Sequence, residues 1–438
     1  MHFPVKKSNL ANGLTVILKE MHHAPVTSFW VWYRVGSRNE IPGITGASHW
    51  VEHMMFKGSP QFPQGSLDRL VSREGGRFNA FTWIDFTAYY ETLPSNRVDL
   101  ALRIESDRMT SAIMTDEAVE SERTVIISER HMYENNPSFL LREELVGAAF
   151  RVHPYRYETI GDEIDLETMT REDLYGHYKR FYSPGNATVV VAGDFDTEPM
   201  MTRIEELFGE LPEGEVMPNL NRPEPEQRGE KRVVVRGPGD TTYLTVAFRA
   251  PEATHDDFYP LVLLNAAYAG GSSLGLFGGG TTNKSSRLYK ALVATDLAVA
   301  VSGAIAPSID PYLYSVNAIL RPGRSIDEVE SALHKELERL ANEPISQNEL
   351  EKALKRARVQ FVMAGESVTG QAMMLGMAEM IAGDFSWYEN TLEALNEVTL
   401  QDIERVREKY LRSKNRNVGI YEPVGNGHNT AEGEIASG

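Results

Sequence analysis

Residues 211–231 read LPEGEVMPNLNRPEPEQRGEK, where four prolines and scattered charges replace the apolar periodicity found on either side. Proline fixes φ and has no N–H to give to a ladder or a helix, so the stretch reads as a linker. It separates residues 1–210 from residues 232–424, and both halves run through the same coarse order of elements. Each opens on strands, at 14–19 and 28–35 in the first half and at 232–236 and 242–249 in the second, and a helix follows. In the first half TAYYETLP then leads into RVDLALRIESDRM and TDEAVESERTVIISERHMYEN; in the second YLYSVNAILRP leads into SIDEVESALHKELERLA and SQNELEKALKRARVQFVMAG. The pattern predicts an internal duplication of an α+β unit, each copy a mostly antiparallel sheet packed with helices. ATVVVAGDF, from Ala187, has the β-branched richness of a sheet interior, and GNGHNTAEGEIASG at 425–438 reads as a disordered tail.

Composition narrows the function. The 438 residues are 42% hydrophobic and 24% charged, which is ordinary globular usage. Lys plus Arg is 44 against 62 for Asp plus Glu, a formal charge of −18, and such a surface repels a phosphate backbone; nucleic acid is not expected as a partner. With no cysteine there is no thiol nucleophile, no thiolate metal ligand and no disulfide, so chemistry falls to His, carboxylates, hydroxyls, Lys or a metal. No window has the roughly 18 to 20 apolar residues of a membrane span. The first residues lack the apolar core of a signal peptide, so a cytoplasmic or periplasmic location is expected, without a choice between them.

The chemistry concentrates in GASHWVEHMMFKG at 46–58. On a helix, His49 and His53 are separated by a rise of about 6 Å and a turn of about 400°, so both imidazoles share one face, with Glu52 at its border. Two imidazoles suit zinc, leaving room for a third ligand and water, and an adjacent carboxylate can take a proton from that water. The spacing is the inverse of His-Glu-x-x-His, and it still requires a third ligand from elsewhere.

Residues 115–136 are strongly helical: Thr115 is placed to cap, Asp116 and Glu117 sit in the first turn, and Pro137 lies just beyond. One face reads Val119, Glu122, Ile126, Glu129, Tyr133, which puts two carboxylates on an otherwise apolar stripe. A buried unpaired carboxylate is costly, so something cationic is expected opposite them, with arginines or plain solvent as the alternative. The other histidines, among them His22, His23, His131 and His153, have no ligand spacing. The run AGGSSLGLFGGGTTNKSSRLYK lacks Gly-Lys-Ser/Thr in register and does not read as a phosphate loop.

At this point the chain resembles the pitrilysin/insulinase zinc peptidases, the family that includes the mitochondrial processing peptidase. The resemblance rests on His49-x-x-Glu52-His53 with Glu129 in ERTVIISERHMYENNP, and extends through NGLTVILKE, GGRFNAFTWIDFTAYY, the long stretch from HPYRYETIGDEIDLE to ATVVVAGDFD, and SSRLYKAL. It implies one zinc ion per chain held by His49, His53 and Glu129, Glu52 as the general base, and Glu122 as an acid behind the ligands. It also implies that Asn79 and Ala80 lie on an edge strand that takes the substrate backbone as an extra strand, and that the Gly-rich run borders the substrate chamber.

The chain departs from the family in its second half. The helical stretch FYPLVLLNAAYAG has no metal motif. Many active relatives place an Arg and a Tyr after it to hold substrate carbonyls and the oxyanion. Here LVATDLAVAV puts Val293 and Val299 at or beside those positions, and neither residue type occurs from Ala291 to Ala306. The resemblance therefore implies a zinc endopeptidase acting on unfolded peptides or protein segments, with a homologous partner subunit supplying the Arg/Tyr pair. A self-sufficient homodimer and a noncatalytic scaffold subunit are the alternatives.

Overall fold

The β-branched and aromatic runs of the two halves form two sheets with one plan. The computed structural model describes residues 4–215, 220–271 and 283–424; the expected tail and most of the Gly-rich run lie outside them. The first sheet contains β1 (Lys6–Asn9), β2 (Thr15–Glu20), β3 (Val26–Tyr33), β4 (Arg77–Thr82), β5 (Thr87–Pro94) and β6 (Ala187–Gly193), in the order β1-β2-β6-β3-β5-β4. The second contains β7 (Lys231–Pro238), β8 (Tyr243–Arg249), β9 (Ala298–Ile305), β10 (Leu313–Leu320) and β11 (Arg416–Val424), in the order β7-β11-β8-β10-β9. Without β1, the two orders are identical. β2 with β6 and β7 with β11 are parallel, and every other pair is antiparallel. The architecture is the duplicated, mostly antiparallel α+β arrangement expected.

β3 begins two residues before the stretch that reads as a strand, because its first residue pairs with Pro94 at the end of β5. Both β4 and β9 are edge strands, each with one hydrogen-bonded neighbour among the described residues.

Each sheet has a helix of its own half on one face and a helix of the other half on the opposite face. Helix Val368–Ala382 packs on β3 and β6 of the first sheet, joining Met374, Leu375 and Met377 to Trp30, Trp32 and Val190 in one core. Helix Pro137–Ala149 packs on β7 and β11 of the second sheet. Both contacts need close approach. A Cβ at Gly376 would lie 2.1 Å from the Trp32 indole nitrogen, and one at Gly419 would meet Leu141 at 3.0 Å. Polar ties cross the same boundary: Arg38 to Asp310 at 2.6 Å, His153 to Asp310 at 3.1 Å, and the Ile309 N–H donating to Asp85 at 3.0 Å. Among the described residues no helix is long and apolar enough to cross a membrane.

Candidate metal centre

The motif lies on helix Ala47–Met54, whose direction is fixed at its first turn. Gly46 has φ +85°, and a Cβ there would run into the Ile160 carbonyl at 2.5 Å. The buried Glu40 carboxyl accepts from the backbone N–H groups of Gly46 and Ser48, each at 2.7 Å, which satisfies free donors of the first turn. Trp50, Val51 and Met54 anchor the apolar face in the first core, so His49, Glu52 and His53 turn the other way.

The second contributor is helix Asp116–Glu134. Thr115 caps it, accepting from the Ala118 N–H at 3.1 Å, as its sequence predicts. Arg123 lies over the Trp50 ring at 4.9 Å and binds the Met169 carbonyl at 2.8 Å, which fixes one helix against the other. Val119, Glu122 and Ile126 are buried, and the stripe opens toward its end at Glu129 and Tyr133.

This packing brings His49, His53 and Glu129 together, with one potential ligand atom from each lying within 4.8 Å of the others. His53 Nε2 is 3.5 Å and His49 Nε2 3.8 Å from Glu129 Oε2. A charge-assisted hydrogen bond would draw such a pair to about 2.8 Å. Ligands of a tetrahedral zinc at about 2.1 Å stand about 3.4 Å apart, close to what is found. The other ring nitrogen of His53 fixes its tautomer: Nδ1–H donates to Glu122 Oε1 at 2.8 Å, leaving the Nε2 lone pair toward the cluster. Lys57 pairs with the second Glu122 oxygen. The cation expected opposite Glu122 is therefore Lys57, one turn beyond His53, while Glu129 has no lysine or arginine partner among the described residues and instead accepts from the Tyr133 hydroxyl at 2.8 Å.

Electrostatics point the same way. Burial, helped by neighbouring His53, pushes His49 down to about 3, so its imidazole is neutral and able to ligate. Burial works to lower His53 too, but the Glu122 hydrogen bond and the surrounding carboxylates raise it on balance. For Glu122, burial works upward and is outweighed by His53 and Lys57, which hold it ionised. Glu122 is matched by Lys57, so Glu129 and the part-ionised Glu52 leave negative charge around the imidazoles that a divalent cation offsets. Donor type, spacing and charge all fit zinc.

Glu52 lies beside the cluster, buried, and burial lifts its carboxyl to about 7. Its Oε2 accepts from the Thr82 hydroxyl at 2.7 Å. Thr82 ends β4, which also carries Asn79 and Ala80; Asn79 is exposed opposite Tyr90, and Ala80 is buried toward the motif helix. The open edge of β4 therefore runs alongside the metal centre. Sequence reasoning missed Thr82, Lys57, Glu40 and the Tyr133 hydroxyl. Strand alternation from Ala80 and the four-residue step from His53 were the available signals for Thr82 and Lys57.

Val293 closes a π-helical turn, Tyr289–Val293, and Val299 is 55% exposed on β9. Arg287, shortly before them, is bound to Glu349 at 2.7 and 2.9 Å and to the Pro344 carbonyl at 2.9 Å, so it is not free to serve a substrate. Among the described residues, no second group of potential metal ligands occurs.

Two family models match the chain: "Insulinase (Peptidase family M16)" over residues 15–163, and "Peptidase M16 inactive domain" over residues 168–357. An uncharacterized zinc protease of Mycobacterium leprae is 27% identical over 413 residues, covering 94% of this chain and 90% of the relative. The beta subunit of the mitochondrial-processing peptidase of Lentinula edodes is 25% identical over 412 residues, covering 93% and 87%. The crystal structure of a protease from Helicobacter pylori shares the fold with a TM-score of 0.89 at 24% identity, covering 96% of this chain and 99% of that one.

Proposed function

The chain belongs to the insulinase family of M16 peptidases, and on that premise we propose that it is a zinc-dependent endopeptidase that hydrolyses unfolded peptides or protein segments. The observation that carries this reading is the meeting of His49 Nε2, His53 Nε2 and a Glu129 carboxylate oxygen on one point, with the Glu52 carboxyl beside it.

When bound, zinc supplies a Lewis acid for a peptide carbonyl and brings the pKa of a water toward about 7. His49, His53 and Glu129 would hold it, and Glu122 keeps the His53 proton on Nδ1. Glu52 accepts the proton of the attacking water and returns it to the departing amine; a carboxyl lifted to about 7 by burial suits both transfers near neutrality. The Thr82 hydroxyl fixes the orientation of that carboxyl. The free edge of β4 grips an extended peptide through main-chain hydrogen bonds, with exposed Asn79 beside the bond to be cut.

By the resemblance, Val293 and Val299 fall at or beside the places of the Arg and Tyr of active relatives, so completion of the oxyanion site falls, on this reading, to a homologous partner subunit. Losing one such donor costs about 10²- to 10³-fold in turnover. The test is zinc stoichiometry together with peptide digestion, for the chain alone and mixed with candidate homologous subunits. One zinc per chain and cleavage only in the mixture are expected. Equal cleavage by the chain alone would discard the partner, and a purified protein that binds no zinc would discard the enzyme.

A further inference from the structure

Helix Pro137–Ala149 covers the second sheet only in part. It sits mainly over β7 and β11, where Leu141 and Leu145 reach the bare backbone of Gly419, touches β8 at Ala247 and the start of β10 at Leu313, and leaves most of β10 and β9 on that face less covered. On that face the side chains are short: Ser302 and Ala304 from β9, Ser315 and Asn317 from β10. None spans the roughly 10 Å that separates packed layers. The result is a cavity of about 480 Å³ with a small-residue floor and apolar walls that include Trp83, Leu141, Leu313 and Ile319.

The cavity adjoins the metal centre along two paths. Trp83, which lines the cavity, directly follows Thr82, the residue bonded to Glu52, so the end of β4 leads to the cavity wall. Tyr133, whose hydroxyl holds Glu129, stacks on Phe139 of the covering helix at 5.6 Å, and the charge of Arg142 in the cavity wall is felt at that hydroxyl. Among the described residues Arg142 is the one charged lining residue, and Glu158 neutralises it through bonds of 2.8 and 2.7 Å. In a chain of formal charge −18, this wall next to the site carries no net charge.

We propose that this cavity is a substrate subsite that takes bulky aliphatic or aromatic side chains of an extended peptide, about three residues from the bond to be cut. The spacing follows from Trp83, three residues on from Ala80 and one beyond the end of β4, at about 3.3 Å per residue. The volume accommodates two large side chains, within the usual range of about 300–1,000 Å³ for ligand pockets. The subsite rests on the peptidase reading and makes it specific: substrates are unfolded segments with an apolar cluster on one side of the cleavage point.

The test uses fluorescein-labelled peptides of about a dozen residues, a length that spans β4 and the cavity mouth. They share a central segment and carry a Phe-Leu pair before it, after it, or replaced by Ser-Ser. Anisotropy is read on zinc-loaded Glu52→Gln protein, and cleavage on the wild-type chain mixed with its partner subunit. One Phe-Leu peptide is expected to bind at least about tenfold tighter than the Ser-Ser peptide, a difference of about 1.4 kcal/mol. Ala304→Trp, and independently Ser315→Trp from the facing strand, should bring that ratio near one. Equal affinities in the unaltered protein, or a preference that survives both fillings, overturns the subsite. Cleavage reads the other claim: a Phe-Leu preference in binding with no cleavage of any peptide strikes the peptidase reading and leaves the subsite standing.

Discussion

The Thr82 hydroxyl donates to Glu52 across 2.7 Å, joining the last residue of the open edge strand to the carboxyl proposed as the base. The strand proposed to take the substrate and the proposed proton acceptor are thereby tied directly to each other. Thr82→Val, close in shape, should lower kcat by roughly tenfold, the scale of a lost hydrogen bond to a charged group of about 1.5 kcal/mol. KM and zinc content should change little, and Thr82→Ser should restore most of the loss. A variant with normal kcat would remove Thr82 from the mechanism.

Glu52→Gln preserves volume and removes the base. Zinc content should stay at one per chain while cleavage falls by about 10²- to 10⁴-fold. Full activity in this variant would refute the assigned role.

His49→Ala, His53→Ala and Glu129→Ala should each leave the protein without stoichiometric zinc by elemental analysis. Glu122→Gln, which loosens the hold on the His53 tautomer, should retain the metal with about 10- to 100-fold weaker affinity. If Glu129→Ala binds zinc as tightly as the unaltered chain, the third ligand has been misassigned.

Gly376 faces the Trp32 indole with no room for a side chain. Although alanine favours helices, Gly376→Ala should destabilise the protein by about 1–3 kcal/mol, as overpacking does in cores. Thermal unfolding of the variant checks this; an unchanged or higher midpoint would mean that the contact yields easily.

Asp85, buried between Tyr155 and the Ile309 N–H, has its carboxyl pushed up to about 6, chiefly by burial. A raised acid binds its proton more tightly in the folded protein, so its contribution to stability is greatest below the unfolded pKa near 4. That contribution falls as pH rises toward 6 and is level above it, with a slope of at most about 1.4 kcal/mol per pH unit. Asp310, which is held below its usual value by His153 and Arg38 against the opposing effect of burial, acts at lower pH and does not cancel this window. Urea unfolding of Asp85→Asn against pH should lose that slope between pH 4 and 6; the same slope in both proteins would exonerate Asp85.

What could be read from the chain was whatever is written locally. The motif helix, the Thr115 cap and the carboxylate stripe depend on neighbours within a turn or two, and the repeated order of strands and helices sufficed for the duplicated α+β plan. The Thr82 contact was hidden because it depends on how β4 lies against the motif helix. The stretch VTGQAMMLGMAEMIA is apolar on nearly every side, which announces burial without saying which sheet buries it. The cavity arises from where one helix stops short, which short polar side chains on three strands do not announce.

The exchange of covering helices has a consequence for how such a chain unfolds. Helices Pro137–Ala149 and Val368–Ala382 occupy equivalent places, each following the long helix of its half and each capping the sheet of the other. A solitary repeat would expose one greasy sheet surface and one orphaned helix to water. Each half therefore depends on the other for cover, so the two halves are expected to unfold together as one cooperative unit.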